Sequence, residues 1–314
     1  MLTKACHRSL AALILALLGF APASAQVGTR ASGMAGAYVG VADDATAVYW
    51  NPAGVATGAL VSVVIGGGSQ TVARGAQLEE DHRDTPAVVA ISATAVGLAY
   101  YRLGTYGTRA SDPAVSSPSS REEVRRSVQG ISTSTVGVSL VQSLGRFVVV
   151  GVTPKFMNGS SDGASGYAFD ADAGLMVAIK RIRLGLVARN LTTPSFTVGG
   201  GEDVALDREV RVGGAWGSGW TGITRVIASV DGDLTSRPTP YGDRRDVAAG
   251  LETWWMGQRL GLRGGARRST IGDPRAAFAA GISAGLSPGL LLEAHVVRGH
   301  AAEHSWSVGA RMLF

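Results

Sequence analysis

Few residues of this 314-residue chain are arranged for bond chemistry. Glu293 and His295 stand two apart and share one face of an extended segment, a pairing suited to proton transfer or to a metal. No second His or Cys lies at ligand spacing, because His300 and His304 fall in what reads as the last external loop. Asp43 and Asp44 are adjacent carboxylates that could hold an ion or gate a path. Their plainer use is to cap backbone N–H groups or to pair with arginines. Asp231, Asp233 and Asp243 surround a polar loop without the twelve-position pattern of an EF-hand, so a solvated turn is expected. Ser160 reads as a loop serine with no His paired to it. No catalytic residue, metal or cofactor is therefore expected.

The elements that must position these groups are strands. Ile182, Leu184, Leu186 and Ala188 alternate with Arg183, Gly185, Val187 and Arg189, and Phe169 and Ala171 alternate with Asp170 and Asp172. A helix would scatter such residues around its circumference, whereas a strand sorts them onto two faces. The last segment sets Trp306, Val308, Ala310, Met312 and Phe314 against Ser305, Ser307, Gly309 and Arg311. Fourteen strands are expected, near 59–68, 86–93, 95–104, 127–142, 146–157, 165–179, 182–191, 206–217, 221–231, 244–256, 258–269, 275–286, 289–298 and 303–314. Links after odd-numbered strands are often long and polar (69–85, 105–126, 192–205, 232–243), and links after even-numbered strands are tight, as at Leu144-Gly145, Lys180-Arg181 and Gly257. Long connections on one rim and short ones on the other are the habit of an outer-membrane barrel with both ends in the periplasm.

Compartment is also written at the amino terminus. Lys4 and Arg8, the apolar run Leu10 to Phe20 and the small residues Ala23-Ser24-Ala25 form a signal peptide over 1–25, too short to span a bilayer. Its removal takes away Cys6, the one cysteine, and leaves 27 of the 29 basic residues against 24 acidic ones. That balance, with no basic stripe, excludes nucleic acid as a partner. The expected class is all-β: a transmembrane antiparallel β-barrel at 58–314 in a Gram-negative outer membrane, enclosing an amino-terminal hatch at 26–57. Fourteen strands enclose more space than wall side chains fill, so something must occupy the lumen. Lumen-facing polar candidates are Asp170, Asp172, Arg183, Arg189, Arg211, Glu252, Arg263, Glu293 and Arg311, with Arg259, Arg267 and His295 on the same parity. Mixed signs suggest ion-pair networks rather than an anion channel. Trp216, Trp220, Trp254, Trp255 and Trp306 are expected near the rims, and Trp306 to Phe314 as the barrel-closing edge.

The run from Gly33 through Asp43-Asp44 to Tyr49-Trp50-Asn51-Pro52-Ala53-Gly54, directly after a leader, resembles the amino-terminal hallmark of the outer-membrane superfamily of FadL-type long-chain fatty acid transporters and PorV-like proteins. That resemblance implies an inward-lying hatch in a fourteen-stranded barrel, with Asp43, Asp44, Asn51, Pro52 and Gly54 holding its shape. Ala31 to Tyr38 is expected as a short helix. In length the chain is closer to the PorV-like branch. The resemblance implies one of two roles: passage of a small hydrophobic solute, or a secretion-associated surface barrel that binds an envelope protein. The charged 105–126 link reads as a solvated rim rather than a greasy landing groove. Outer-membrane lipid, periplasmic chaperones and the barrel-insertion machinery are further implied partners.

Overall fold

The computed structural model describes residues 27–72, 82–109, 128–161, 163–198, 202–239, 242–272, 275–299 and 304–314. The expected signal peptide over 1–25, the Arg121-to-Arg126 charges and His300 lie outside them. One antiparallel sheet holds seventeen strands: β1 (Val61–Val72), β2 (His82–Asp84), β3 (Ala87–Ala93), β4 (Val96–Arg109), β5 (Val128–Leu144), β6 (Val148–Ser161), β7 (Ala164–Ile179), β8 (Ile182–Arg189), β9 (Ser195–Val198), β10 (Glu202–Ala205), β11 (Glu209–Thr221), β12 (Thr224–Asp233), β13 (Asp246–Trp255), β14 (Leu260–Ser269), β15 (Ala276–Ser287), β16 (Leu290–Gly299) and β17 (His304–Leu313). Fourteen of these form the wall, and β2, β9 and β10 are short pieces of the long connections. β1 pairs with β17 from Ser62↔Leu313 to Gln70↔Ser305, so the sheet closes on itself and leaves no free edge.

Period-two alternation decides which way each side chain looks. On β7 Phe169 is 78 % exposed while Asp170 and Asp172 are buried, and on β17 Trp306 and Val308 are exposed while Ser305 and Arg311 are buried. An outward coat that includes Ile65, Leu98, Val138, Leu184, Leu262 and Phe278 would be untenable in water and is at home in lipid. The protein is thus an outer-membrane barrel, and the rim of tight turns, where Val61 and Phe314 exchange backbone hydrogen bonds, is the periplasmic one.

Residues 27–58 lie inside as α1 (Thr29–Gly33), α2 (Ala47–Trp50) and a 3₁₀ turn (Pro52–Thr57). The helix expected over Ala31–Tyr38 is shorter and begins earlier: Met34 ends it, and Ala35 and Gly36 turn the chain at positive φ. The wall receives this segment at glycines. A Cβ on Gly151 would come within 2.6 Å of the Pro52 carbonyl carbon, and one on Gly250 within 2.9 Å of Met34. Gly174, Gly185 and Gly97 face Asn51, Val39 and Val48 in the same manner. These wall glycines are thus explained by the close approach of residues 27–58 to the inner wall.

The link at 192–205, expected as an external loop, is instead a hairpin. β9 and β10 pair with each other, and β10 also pairs with the end of β4 at Val204↔Arg109 and Ala205↔Thr108. Phe196, Val198, Val204 and Leu206 pack with Ile131 and Met157 from the inner wall, and Phe196 is 0 % exposed. The alternation around Gly199-Gly200-Gly201 dictates this: four apolar side chains on one face need a dry surface, and the upper lumen supplies it.

Candidate functional site

Arg30, which the sequence reading passes over, is the hub of the lumen. It follows Gly28 and Thr29 in the first turn of α1, and its guanidinium reaches across the barrel to β13. Nε donates to Glu252 Oε1 at 2.8 Å and Nη2 to Oε2 at 2.6 Å, a fork-to-carboxylate pair with both partners buried. Nη1 pairs with Asp43 and donates to Tyr38 Oη at 2.8 Å, and that hydroxyl donates to Asp44 at 2.6 Å. Asp44 also accepts from the Thr46 N–H at 3.0 Å, tying the entry to α2. On the wall side Arg263 stands 3.6 Å from Glu252 and 3.3 Å from Glu293, and Arg311 is 2.9 Å from Glu293. Arg183 closes the other end, 3.3 Å from Asp43. Four arginines thus alternate with three carboxylates, and Asp44, 3.5 Å from Arg30, adds a fourth, so the cluster of charges is neutral as a whole.

Burial by itself would raise the Asp43 carboxyl. The Arg30 and Arg183 guanidiniums outweigh that and hold it well below the usual carboxylate range. Burial keeps the Tyr38 phenol above its ordinary value, so it remains a donor.

The remaining candidates fall into separate groups. Asp170 and Asp172 share Lys155, at 3.1 and 2.7 Å, a cation absent from the expected set. Arg189 faces Glu209 at 3.7 Å and lies over the Tyr49 ring at 4.4 Å. Arg211 stands between Asp231 at 3.6 Å and Asp233 at 3.0 Å. Asp231 is buried on β12 rather than solvated, and it accepts from the Tyr38 and Val39 N–H groups at 2.7 and 2.8 Å, holding the backbone of the inner segment. Asn51 Nδ2 donates to Val39 O and to Leu175 O on the wall, while Oδ1 accepts from the Ala53 N–H and caps the 3₁₀ turn opened by Pro52. Gly54 lies so close to the Ala42 carbonyl that a side chain would overlap it.

Trp254 stands near the periplasmic rim, one residue before the end of β13, but it packs inside rather than facing lipid: it has the inward parity of Glu252, is buried, and lies under Arg263 and Arg311 with ring distances of 5.9 and 5.6 Å. Ser160 belongs to β6 rather than to a loop, and Gly159-Ser160-Ser161-Asp162-Gly163 does carry the letters of a nucleophile elbow. It is a strand end with no helix after it, and Ser161 Oγ donates to Gly130 O at 3.0 Å. His295 Nδ1 is 2.9 Å from Ser307 Oγ, which is in turn 2.9 Å from Thr29 Oγ1, and no group of metal-ligating side chains occurs among the described residues.

Beside Thr29 the wall is thin. β1 carries Gly66, Gly67 and Gly68, and the strand opposite is interrupted at Thr85-Pro86, between β2 and β3. Register is unchanged across the break, from Gly67↔Ala87 to Gln70↔Asp84. Gly68 N–H donates to Pro86 O at 3.0 Å, but proline has no N–H to return the bond. A crevice of about 20 Å³ opens there, bounded by outward Trp306 and Gly67 and by inward Val88, Leu103, His295 and, from the inner segment, Val27.

Comparison with known proteins bears on this architecture. A family model described as "F plasmid transfer operon, TraF, protein" matches residues 159–233. No curated protein matches the chain. Among solved structures, the CymD monoaromatic hydrocarbon channel superposes with a TM-score of 0.61 at 10% identity, covering 95% of this chain and 98% of that one. A Pseudomonas aeruginosa FadL homologue gives 0.59 at 11%, with 93% and 99% covered. The Ralstonia pickettii toluene transporter TbuX gives 0.56 at 11%, with 95% and 99% covered. At such identities the likeness shows the fold alone: a FadL-type barrel.

Proposed function

We propose that the protein is a non-enzymatic outer-membrane channel that admits a small hydrophobic solute through its wall, with residues 27–58 as the hatch that closes the lumen. The observation that carries this reading is the crevice at the Thr85-Pro86 interruption. Its lining joins the lipid face of the wall to the hatch, and most of it is apolar. About 20 Å³ holds one water and no aromatic ring, so the state described is closed. Passage then requires Val27 to Thr29 to withdraw, while the Arg30 network keeps the rest of the hatch in place. The solved relatives named for monoaromatic hydrocarbons and toluene support a solute of that class. A PorV-like role in binding an envelope protein gains no comparable support, since the 195–205 hairpin turns inward.

Uptake of radiolabelled toluene by cells of a channel-deficient host measures the idea directly. Expression of the wild-type chain should raise the initial rate several-fold, and Ala87→Trp, which sets an indole over the outer mouth of the crevice, should abolish the gain while the barrel still shows heat-modifiable migration. No gain from the wild type, or a gain untouched by the folded variant, would overturn the proposal.

A further inference from the structure

At the periplasmic rim a second pocket, of about 230 Å³, opens between the β7–β8 and β11–β12 turns and the underside of the hatch. Lys180, Arg181, Arg183 and Arg225 all line it, and the one carboxylate in its lining is Asp43. Elsewhere in the lumen cations are met by carboxylates: Arg30, Arg263 and Arg311 by Asp43, Glu252 and Glu293, and Lys155 by Asp170 and Asp172. Here the balance fails. Arg183 has Asp43 at 3.3 Å and the Val41 carbonyl at 3.1 Å, whereas Lys180, Arg181 and Arg225 have no ion-pair partner among the described residues. A partly enclosed cleft lined by one sign of charge concentrates counter-ions, and arginine forks match oxyanions in particular.

We infer that this pocket binds an oxyanion group, a phosphate or a carboxylate, and that the bound anion competes with Asp43 for Arg183. Trp216 and Trp220 on the pocket rim are 43% and 44% exposed and mark the headgroup level of the bilayer. The anion therefore has two sources, a phospholipid of the inner leaflet or a free solute at the periplasmic mouth. In either case it takes one of the two arginines from Asp43, which with the Val41 carbonyl ties the hatch to Arg183 of β8. The inference does not rest on what crosses the wall at Pro86.

The full-length barrel, purified in neutral detergent, is titrated with inorganic phosphate at constant ionic strength in a calorimeter. Saturable millimolar binding is expected, weakened at least tenfold in Arg181→Gln/Arg225→Gln. Asp43→Asn should bind several-fold more tightly, because the internal competitor is gone, an effect that a purely structural role for Asp43 would not produce. Arg225→Lys, which keeps the charge, should retain most of the affinity and guards against misfolding of the double variant. Native mass spectrometry from nanodiscs of phosphatidylglycerol or phosphatidylcholine separates the sources. Retained phosphatidylglycerol that phosphate displaces assigns the site to lipid, and phosphate binding without retained lipid assigns it to a solute. Absence of saturable phosphate binding, or binding indifferent to Arg181→Gln/Arg225→Gln, overturns the site. An unchanged affinity in Asp43→Asn overturns the competition.

Discussion

Replacing Arg30 with Met tests whether the charge network holds the hatch. The side chains are of similar length, so packing is largely kept while the guanidinium and its bonds to Glu252, Asp43 and Tyr38 are lost. Breaking a buried pair by deleting one partner costs about 3–5 kcal/mol, because the survivor stays buried and uncompensated. Glu252 keeps Arg263 at 3.6 Å and Asp43 keeps Arg183 at 3.3 Å, which places the loss at the low end, about 3 kcal/mol. That corresponds to a shift on the order of a hundredfold in the equilibrium between seated and released hatch. Amide hydrogen exchange reads it where it occurs. The Tyr38 and Val39 N–H groups, bonded to Asp231, should lose about two decades of protection, and wall amides of β13 to β17 should change little. Arg30→Met/Glu252→Met removes both charges and should recover at least half of the loss. Hatch protection within twofold of wild type in Arg30→Met, in a folded barrel, would refute the argument that these ion pairs seat the hatch.

Three further outcomes are expected. Gly174→Ala places a methyl over Asn51 Oδ1 and 2.9 Å from Pro52 Cδ, so the hatch turn should be destabilised by about 1–3 kcal/mol, seen as faster exchange in 51–57. Phe196→Ala should cost about 3–5 kcal/mol of hairpin docking and make 195–205 accessible to added protease, since Phe196 is wholly buried against the upper wall. For Asp43 the seated-state pKa is lowered, so its contribution is complete above the ordinary carboxylate value of about 3.9 and is lost as pH falls through the lower, seated-state value. The difference in hatch protection between wild type and Asp43→Asn should thus be constant from pH 7 to about 4 and vanish only below. A difference that fades between pH 7 and 5 would assign the effect to another group.

How much of this was legible beforehand differs by element. The wall was: each of the fourteen expected strands lies within a few residues of an observed one, and Asp172, Arg211, Glu252, Arg263 and Arg311 all point inward as their parity requires. Trp254 carried the same inward parity as Glu252, and its place beside the tight turn after β13 was legible as well. The hairpin at 195–205 also had its signal, four alternating apolar residues about three glycines, hidden by the habit of reading long links as solvated. Arg30 had no such signal. One arginine among small residues looks the same whether it is capped by solvent or by Glu252, 222 positions away.

Sequence by itself determined the class, the wall and which face of each strand meets lipid, because a period of two is a local property enforced residue by residue by the bilayer. It marked Asp43 to Gly54 as a distinct segment as well. Tertiary structure alone decided who pairs with whom across the lumen, that Gly151 and Gly174 are glycines because the Asn51-Pro52 turn rests on them, and that the Thr85-Pro86 interruption sits beside Thr29. Those relations depend on closure of the barrel, which sets residues hundreds of positions apart at hydrogen-bond distance and leaves no trace in the spacing of either partner.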